Sequence, residues 1–201
     1  MKSEIFDLFP QRVVMHDCDC FYAYQSKLID YSYQIRNELS EGVKYTIQRE
    51  GYQSDDLRFR KDLLPFMPFI NWNLQQCLYE YGFDIQKIKY QLEIIVINIG
   101  YPGSYHNSHI HPKCHISALL WLKTPENCGN LVFENDDVFS QIHIIENLNQ
   151  DMRDKFKISS QYRFTPVEGR MLLFPPNLTH HVKMNESDSD RLSMVFNLSF
   201  L

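Results

Sequence analysis

The spacing of apolar positions changes near residue 90. Before it, the repeat is helical: Ile70, Leu74, Cys77, Leu78 and Tyr81 follow i, i+4, i+7, i+8, i+11, the signature of one buried helix face. This spacing predicts a helix from Pro68, a favoured first-turn residue, to Gly82, a favoured stop. An earlier helix is expected from about Phe21 to Leu39, with Asp17 or Asp19 as its cap. After residue 90 the chain breaks into short apolar runs separated by turn residues, the pattern of strands. The runs are Leu92–Ile99, His109–Leu122 with a break near Pro112, Leu131–Glu134, Val138–Ile145, Gln161–Phe164, Arg170–Phe174, Thr179–Lys183 and Leu192–Phe200. Asn147 to Phe156 reads as a short helix or a loop insert.

Seven or eight short strands at this spacing predict a mainly β fold with α, a double-sheet jelly roll or cupin-like barrel. We expect one domain over residues 1–201, in which a mainly helical region, 1–90, packs on one sheet of a β core, 91–201. The last run alternates strictly. Leu192, Met194, Phe196, Leu198 and Phe200 form one face, which must be buried under the N-terminal helices. Arg191, Ser193, Val195, Asn197 and Ser199 form the other, which then points into the barrel. A buried Arg without a partner is costly, and its planar fork suits a carboxylate. An acid ligand would satisfy it inside; at the strand mouth it would pair instead with Asp188 or Asp190.

Composition narrows the possible functions. With 14 Phe, 12 Tyr and 2 Trp in 201 residues, the chain has too much apolar mass for disorder. Its 7 Gly include no Gly-rich run, which excludes a phosphate-binding loop or a dinucleotide fingerprint. A net charge of −5 without a basic cluster argues against nucleic acid as a partner. No apolar run approaches the ~20 residues of a membrane span. The 5 Cys, an odd number, fit reduced thiols in the cytoplasm. The oligomeric state is left open.

The 8 His are clustered. His106, His109, His111 and His115 fall within one short segment, His180 and His181 form a second group, and His16 and His143 stand apart as ordinary surface or core residues. His109 and His111, two apart on an expected strand, share a face. Two imidazoles on one face and a third from a distant strand build a metal site on a β scaffold, and imidazole suits Fe, Zn, Cu and Ni. His106, in the expected Gly100–Ser108 loop, is not read as a ligand. Cys114 and His115 lie beyond Pro112, where strand parity cannot be carried. Of His180 and His181 only one can face inward.

Three motifs resemble the Fe(II)/2-oxoglutarate-dependent oxygenases. They are His109-Ile-His111-Pro112, Phe174-Pro-Pro-Asn-Leu-Thr-His180-His-Val182 and Arg191-Leu-Ser193-Met-Val-Phe-Asn197. Ile97-Asn98-Ile99 followed by Pro102-Gly103, the strand Ser117-Ala-Leu-Leu-Trp121 and the opening Leu8-Phe9-Pro10 are also similar, although Val96 stands where an aromatic is expected. The likeness covers most of the chain and is strongest from about residue 92 onward. It implies a double-stranded β-helix with His109 and His180 as the two family histidines on neighbouring strands. It further implies Arg191, 11 residues after His180, and Ser193 as holders of the far carboxylate of 2-oxoglutarate. Asn98 and Asn197 are candidate pocket donors to the cosubstrate.

One departure stands out. The wider family reads His-x-Asp/Glu where this chain has His111, so the carboxylate of the facial triad is replaced. Either His109, His111 and His180 all bind the iron, or His111 stands off. Three neutral ligands leave the site at +2 rather than +1, which should alter metal preference and redox behaviour. The implied activity is oxidative decarboxylation of 2-oxoglutarate to succinate, coupled to hydroxylation of a small-molecule or peptide substrate. Two alternatives remain. A cupin-like three-His metalloenzyme would not need Arg191 and Ser193, and a non-catalytic jelly-roll binding protein would hold no metal.

Overall fold

The alternation at the C-terminus organises the whole chain. In the computed structural model, which describes residues 11–43, 48–136, 145 and 147–201, the last strand, β9 (Arg191–Phe200), lies at the centre of the sheet. It is flanked by β3 (Tyr90–His109) and β4 (Ile116–Lys123), and every pairing is antiparallel. Its Leu192, Met194, Phe196 and Leu198 are buried in a cluster with Leu28 and Ile35 of helix α1 (Phe21–Glu38) and with Ile70 and Leu74 of helix α2 (Met67–Tyr81). The opposite face sends Val195 into a second cluster with Val96, Leu119, Trp121 and Phe174. Each inward face of the sheet therefore has its own apolar core, as the strict period of two requires.

Among the described residues nine strands form one sheet, eight of them on a single path. It runs β1 (Val14–Asp17), β7 (Arg170–Phe174), β4, β9, β3, β8 (His180–Val182), β5 (Leu131–Glu134) and β6 (Gln161–Phe164), while β2 (Gln48–Gln53) pairs with the other side of β3. A short helix, α3 (Gln150–Phe156), follows the expected insert position. The fold is the double-stranded β-helix, with α1 and α2 against the β1–β7–β4 side. β3 links the two layers. Its first leg pairs with β9 through Gly100↔Arg191, and its second with β8 through His106↔Val182 and His109↔His180. Between the legs, residues 101–104 interrupt the register with β2, with Gly103 at φ +84°, a conformation glycine adopts without strain.

Several expectations are revised. β1 and β2 lie in the region read as helical; both are short edge segments whose sequence shows no clean alternation. Neither Asp17 nor Asp19 caps α1. Cys20, with φ 58°, occupies the cap, because Asp17 is bound to Arg170 at 2.7 Å and Asp19 accepts from Trp72 Nε1 at 3.3 Å. The expected loop at Gly100–Ser108 belongs to β3, and β4 begins only at Ile116. Val138–Ile144, His143 and Leu8-Phe9-Pro10 lie outside the described residues.

The cluster under the helices should dominate stability. Phe196 is fully buried, so Phe196→Ala is expected to cost about 3–5 kcal/mol, read as a lower denaturant midpoint at unchanged m-value.

Candidate metal and acid-binding site

Three imidazoles meet where β3 hands over from β9 to β8. The nearest ring nitrogens of His109, His111 and His180 all lie within 4.8 Å of one another, and the Nε2 atoms of His109 and His111 are 3.2 Å apart. The pairing of His109 with His180 across β3 and β8 brings two of them together. His111 arrives differently from the sequence expectation. β3 ends at His109, and His111 continues in extended form beside Pro112, its N–H donating to the Pro176 carbonyl at 2.8 Å. The restriction that a following Pro places on its backbone keeps the segment extended, so the two side chains still share a face.

The outer hydrogen bonds set the tautomers. His109 Nδ1–H donates to the Asn107 carbonyl at 2.8 Å and His180 Nδ1–H to the Leu178 carbonyl at 2.7 Å. Around His111, Ser117 Oγ donates to Asn197 Oδ1 at 2.9 Å, and Asn197 Oδ1 lies 2.9 Å from His111 Nδ1. With the hydroxyl proton committed to Asn197, His111 Nδ1 is the donor. Every Nδ1 thus carries its proton outward and every Nε2 lone pair faces the common centre, the arrangement a metal ion needs. Burial pushes all three imidazoles toward the neutral form, His109 to about 4 and His180 to about 3. At neutral pH no proton has to leave before a metal binds.

A cavity of about 360 Å³ opens in front of the triad, walled by Val96, Leu119, Phe174 and Val195, with Asn98 and Asn197 among its polar atoms. It narrows into a cleft of about 10 Å³ lined by Arg191, Ser193, Asn98, His106 and Trp121. Arg191 is buried, and burial pulls its guanidinium down to about 10. Its Nη1 donates to the carbonyls of Cys128, Gly129 and Lys183, but among the described residues no carboxylate pairs with it. Asp190, the alternative partner, accepts instead from the Tyr33 hydroxyl at 2.9 Å. Gly100 makes room for the fork: a Cβ there would sit 2.6 Å from Ser104 Oγ and 3.1 Å from Arg191 Nη2.

The remaining candidates fall elsewhere. His181 faces away from the triad and binds Glu134 at 2.6 Å. His115 stacks on Phe200 and accepts from its backbone N–H. His16 lies against Asn73, and all five cysteines are free thiols. Asn98 Oδ1 accepts from Gln53 Nε2 at 3.0 Å, and the Asn197 oxygen is taken up by His111 and Ser117. Sequence reasoning missed Ser117 as a support for His111. Its place in Ser117-Ala-Leu-Leu-Trp121 was visible, but only the pairing of Ser117 with Asn197 reveals the role.

Metal titration separates the adjacent histidines. His180→Ala should abolish stoichiometric Mn(II) binding, whereas His181→Ala should retain it. Asn197→Leu, which takes one of the two oxygens from His111 Nδ1 and leaves Ser117 Oγ at 2.8 Å, should weaken Mn(II) binding up to about 10-fold.

The family model for 2OG-Fe(II) oxygenases matches residues 96–197. No curated protein is significantly similar in sequence. Solved structures are similar in fold. The viral collagen prolyl hydroxylase of Paramecium bursaria Chlorella virus-1 is 14% identical, with 92% of this chain and 94% of that one covered and a TM-score of 0.59. The prolyl-4-hydroxylase of Pseudomonas putida is 13% identical, with 93% and 92% covered and a TM-score of 0.57. The epimerase SnoN of nogalamycin biosynthesis is 10% identical, with 93% and 76% covered and a TM-score of 0.66. Among the described residues, no helix is long and apolar enough to cross a membrane. The matched segment holds the three imidazoles' first two members, His180 and the buried Arg191, and the chain belongs to the 2OG-Fe(II) oxygenase family, whose cofactors are Fe(II) and 2-oxoglutarate.

Proposed function

We propose that the protein oxidatively decarboxylates 2-oxoglutarate to succinate and CO2, and that it couples this to hydroxylation of a small-molecule or peptide substrate. The balance is R–H, 2-oxoglutarate and O2 to R–OH, succinate and CO2. The observation that carries the reading is Arg191, a buried cation without a carboxylate partner among the described residues, set in a cleft that opens into the cavity of the triad.

The residues fit both cofactors. His109, His111 and His180 would hold Fe(II) through Nε2, and Arg191 with Ser193 would hold the far carboxylate of 2-oxoglutarate. When bound, Fe(II) and 2-oxoglutarate supply the activation of dioxygen. The chain supplies the rest. Asn107, Leu178 and Asn197 fix the rings by accepting their Nδ1 protons. The apolar walls at Val96, Leu119 and Val195 exclude water, which strengthens the charge pairing at Arg191. Three neutral imidazoles make the net charge with Fe(II) and a dianionic acid zero. Neighbouring folds are solved with a peptide fragment, as in the prolyl hydroxylase of Trichoplax adhaerens, and with the small molecule nogalamycin RO, as in SnoN; both classes remain within this proposal.

Succinate release from 2-oxoglutarate with Fe(II) and O2 tests the reaction. Wild type should form succinate, and His180→Ala should form none. Arg191→Ala should raise KM for 2-oxoglutarate at least 10-fold, the loss expected for a charge-assisted pair. Gly100→Ala should do so in part by displacing the fork. Anaerobic calorimetry that shows no 2-oxoglutarate binding to the Mn(II)-loaded wild type would sink the proposal and favour a three-His metalloenzyme of another kind.

A further inference from the structure

His106 is the fourth imidazole of this region and the one with no assigned task. It sits on the second leg of β3, just past the bulge at residues 101–104, with Val182 opposite on one side and Gln48 on the other. The bulge fixes its parity: Tyr105 turns toward solvent, while His106 turns into the barrel and is 8% exposed. There it lines both the triad cavity and the narrow cleft of Arg191 and Ser193.

Its nitrogens are unlike those of the triad. His109, His111 and His180 each have an Nδ1 partner. Among the described residues neither ring nitrogen of His106 makes a hydrogen bond, and the ring lines both the cavity and the cleft, where a ligand would meet it. That ligand is not the metal. The ring centroid of His106 is 6.4 Å from that of His109, whereas the triad rings are separated by 4.1 to 5.2 Å, and His106 is outside the convergent group. Burial holds it well below the usual imidazole range, with the Arg191 charge acting in the same direction. In either charge state the ring carries an N–H to give.

Building on the cosubstrate assignment above, we propose that His106 donates a hydrogen bond to the far carboxylate of 2-oxoglutarate, beside Arg191 and Ser193. Arg191 spends Nη1 on backbone carbonyls, so the carboxylate needs donors from other directions. Ser193 comes from β9 and His106 from β3, on the cleft's other wall. This makes His106 a binding residue for the acid, reached from the cavity and the cleft that it lines together.

Anaerobic calorimetry on the Mn(II)-loaded protein tests this, with 2-oxoglutarate and with 2-oxobutyrate, which lacks the far carboxylate. His106→Ala should bind 2-oxoglutarate about 10- to 100-fold more weakly, the loss expected for a hydrogen bond to a charged group. Its Mn(II) affinity should match wild type, which also shows that the site is folded. His106→Gln, which restores an N–H near the Nε2 position, should recover most of the affinity. With 2-oxobutyrate, wild type and His106→Ala should bind alike. Equal 2-oxoglutarate binding by wild type and His106→Ala would overturn the proposal, as would an equal loss for the two acids or a parallel loss of Mn(II) affinity. Failure of the wild type to bind 2-oxoglutarate would instead overturn the cosubstrate assignment on which it rests.

Discussion

Three imidazoles converge on one point because β3 changes partner along its length and the segment just beyond it is anchored to the Pro176 carbonyl through His111. Its first leg is locked to β9 and its second to β8, and the bulge at residues 101–104 absorbs the change. This single strand places Asn98 and Gly100 against Arg191 and Ser193, and His109 against His180. The Arg191 cleft and the imidazole triad are therefore two stations on one backbone, at a separation fixed by strand geometry. Without the hand-over, each half of the site would lie on its own sheet with nothing to hold the distance between them.

The polar interior is kept workable by a consistent division of labour. Backbone carbonyls and Asn197 accept the outward imidazole protons, and apolar side chains from β3, β4, β7 and β9 close the space around the inward nitrogens. The same burial that neutralises the histidines leaves Arg191 as the local cation, held by three carbonyls that orient it without cancelling its charge. With the imidazoles neutral, Fe(II) would place +2 at one end and Arg191 places +1 at the other, a charge pattern complementary to an acid that chelates at one end and carries a carboxylate at the other.

The helices matter to function through β9. Leu192, Met194, Phe196 and Leu198 are pinned under α1 and α2. The residues between them, Arg191, Ser193, Val195 and Asn197, have no choice but to face the cavity. A slip of one position would exchange the two sets and send the site residues into the helical core. Core packing on one face thus enforces chemistry on the other.

Much of this was legible in the chain. The period of two in Arg191–Phe200, the clustered histidines and the order of three motifs pointed to the β9 faces, to the meeting of His109, His111 and His180, and to Arg191 as an inward cation, because local patterns dictate which side of a strand a residue occupies. The helix over Pro68–Gly82 was readable for the same reason. β1, β2 and the cap at Cys20 were not, since they depend on partners far away in sequence: β1 on β7, β2 on β3, and the carboxylates of Asp17 and Asp19 on Arg170 and Trp72. Ser117 and His106 belong to the same class. Alternation can say that a side chain points inward. Only the tertiary pairing of β4 with β9, and of β3 with β8, decides what it meets there, because register between distant strands is set by the packing of the whole sheet and not by any one segment.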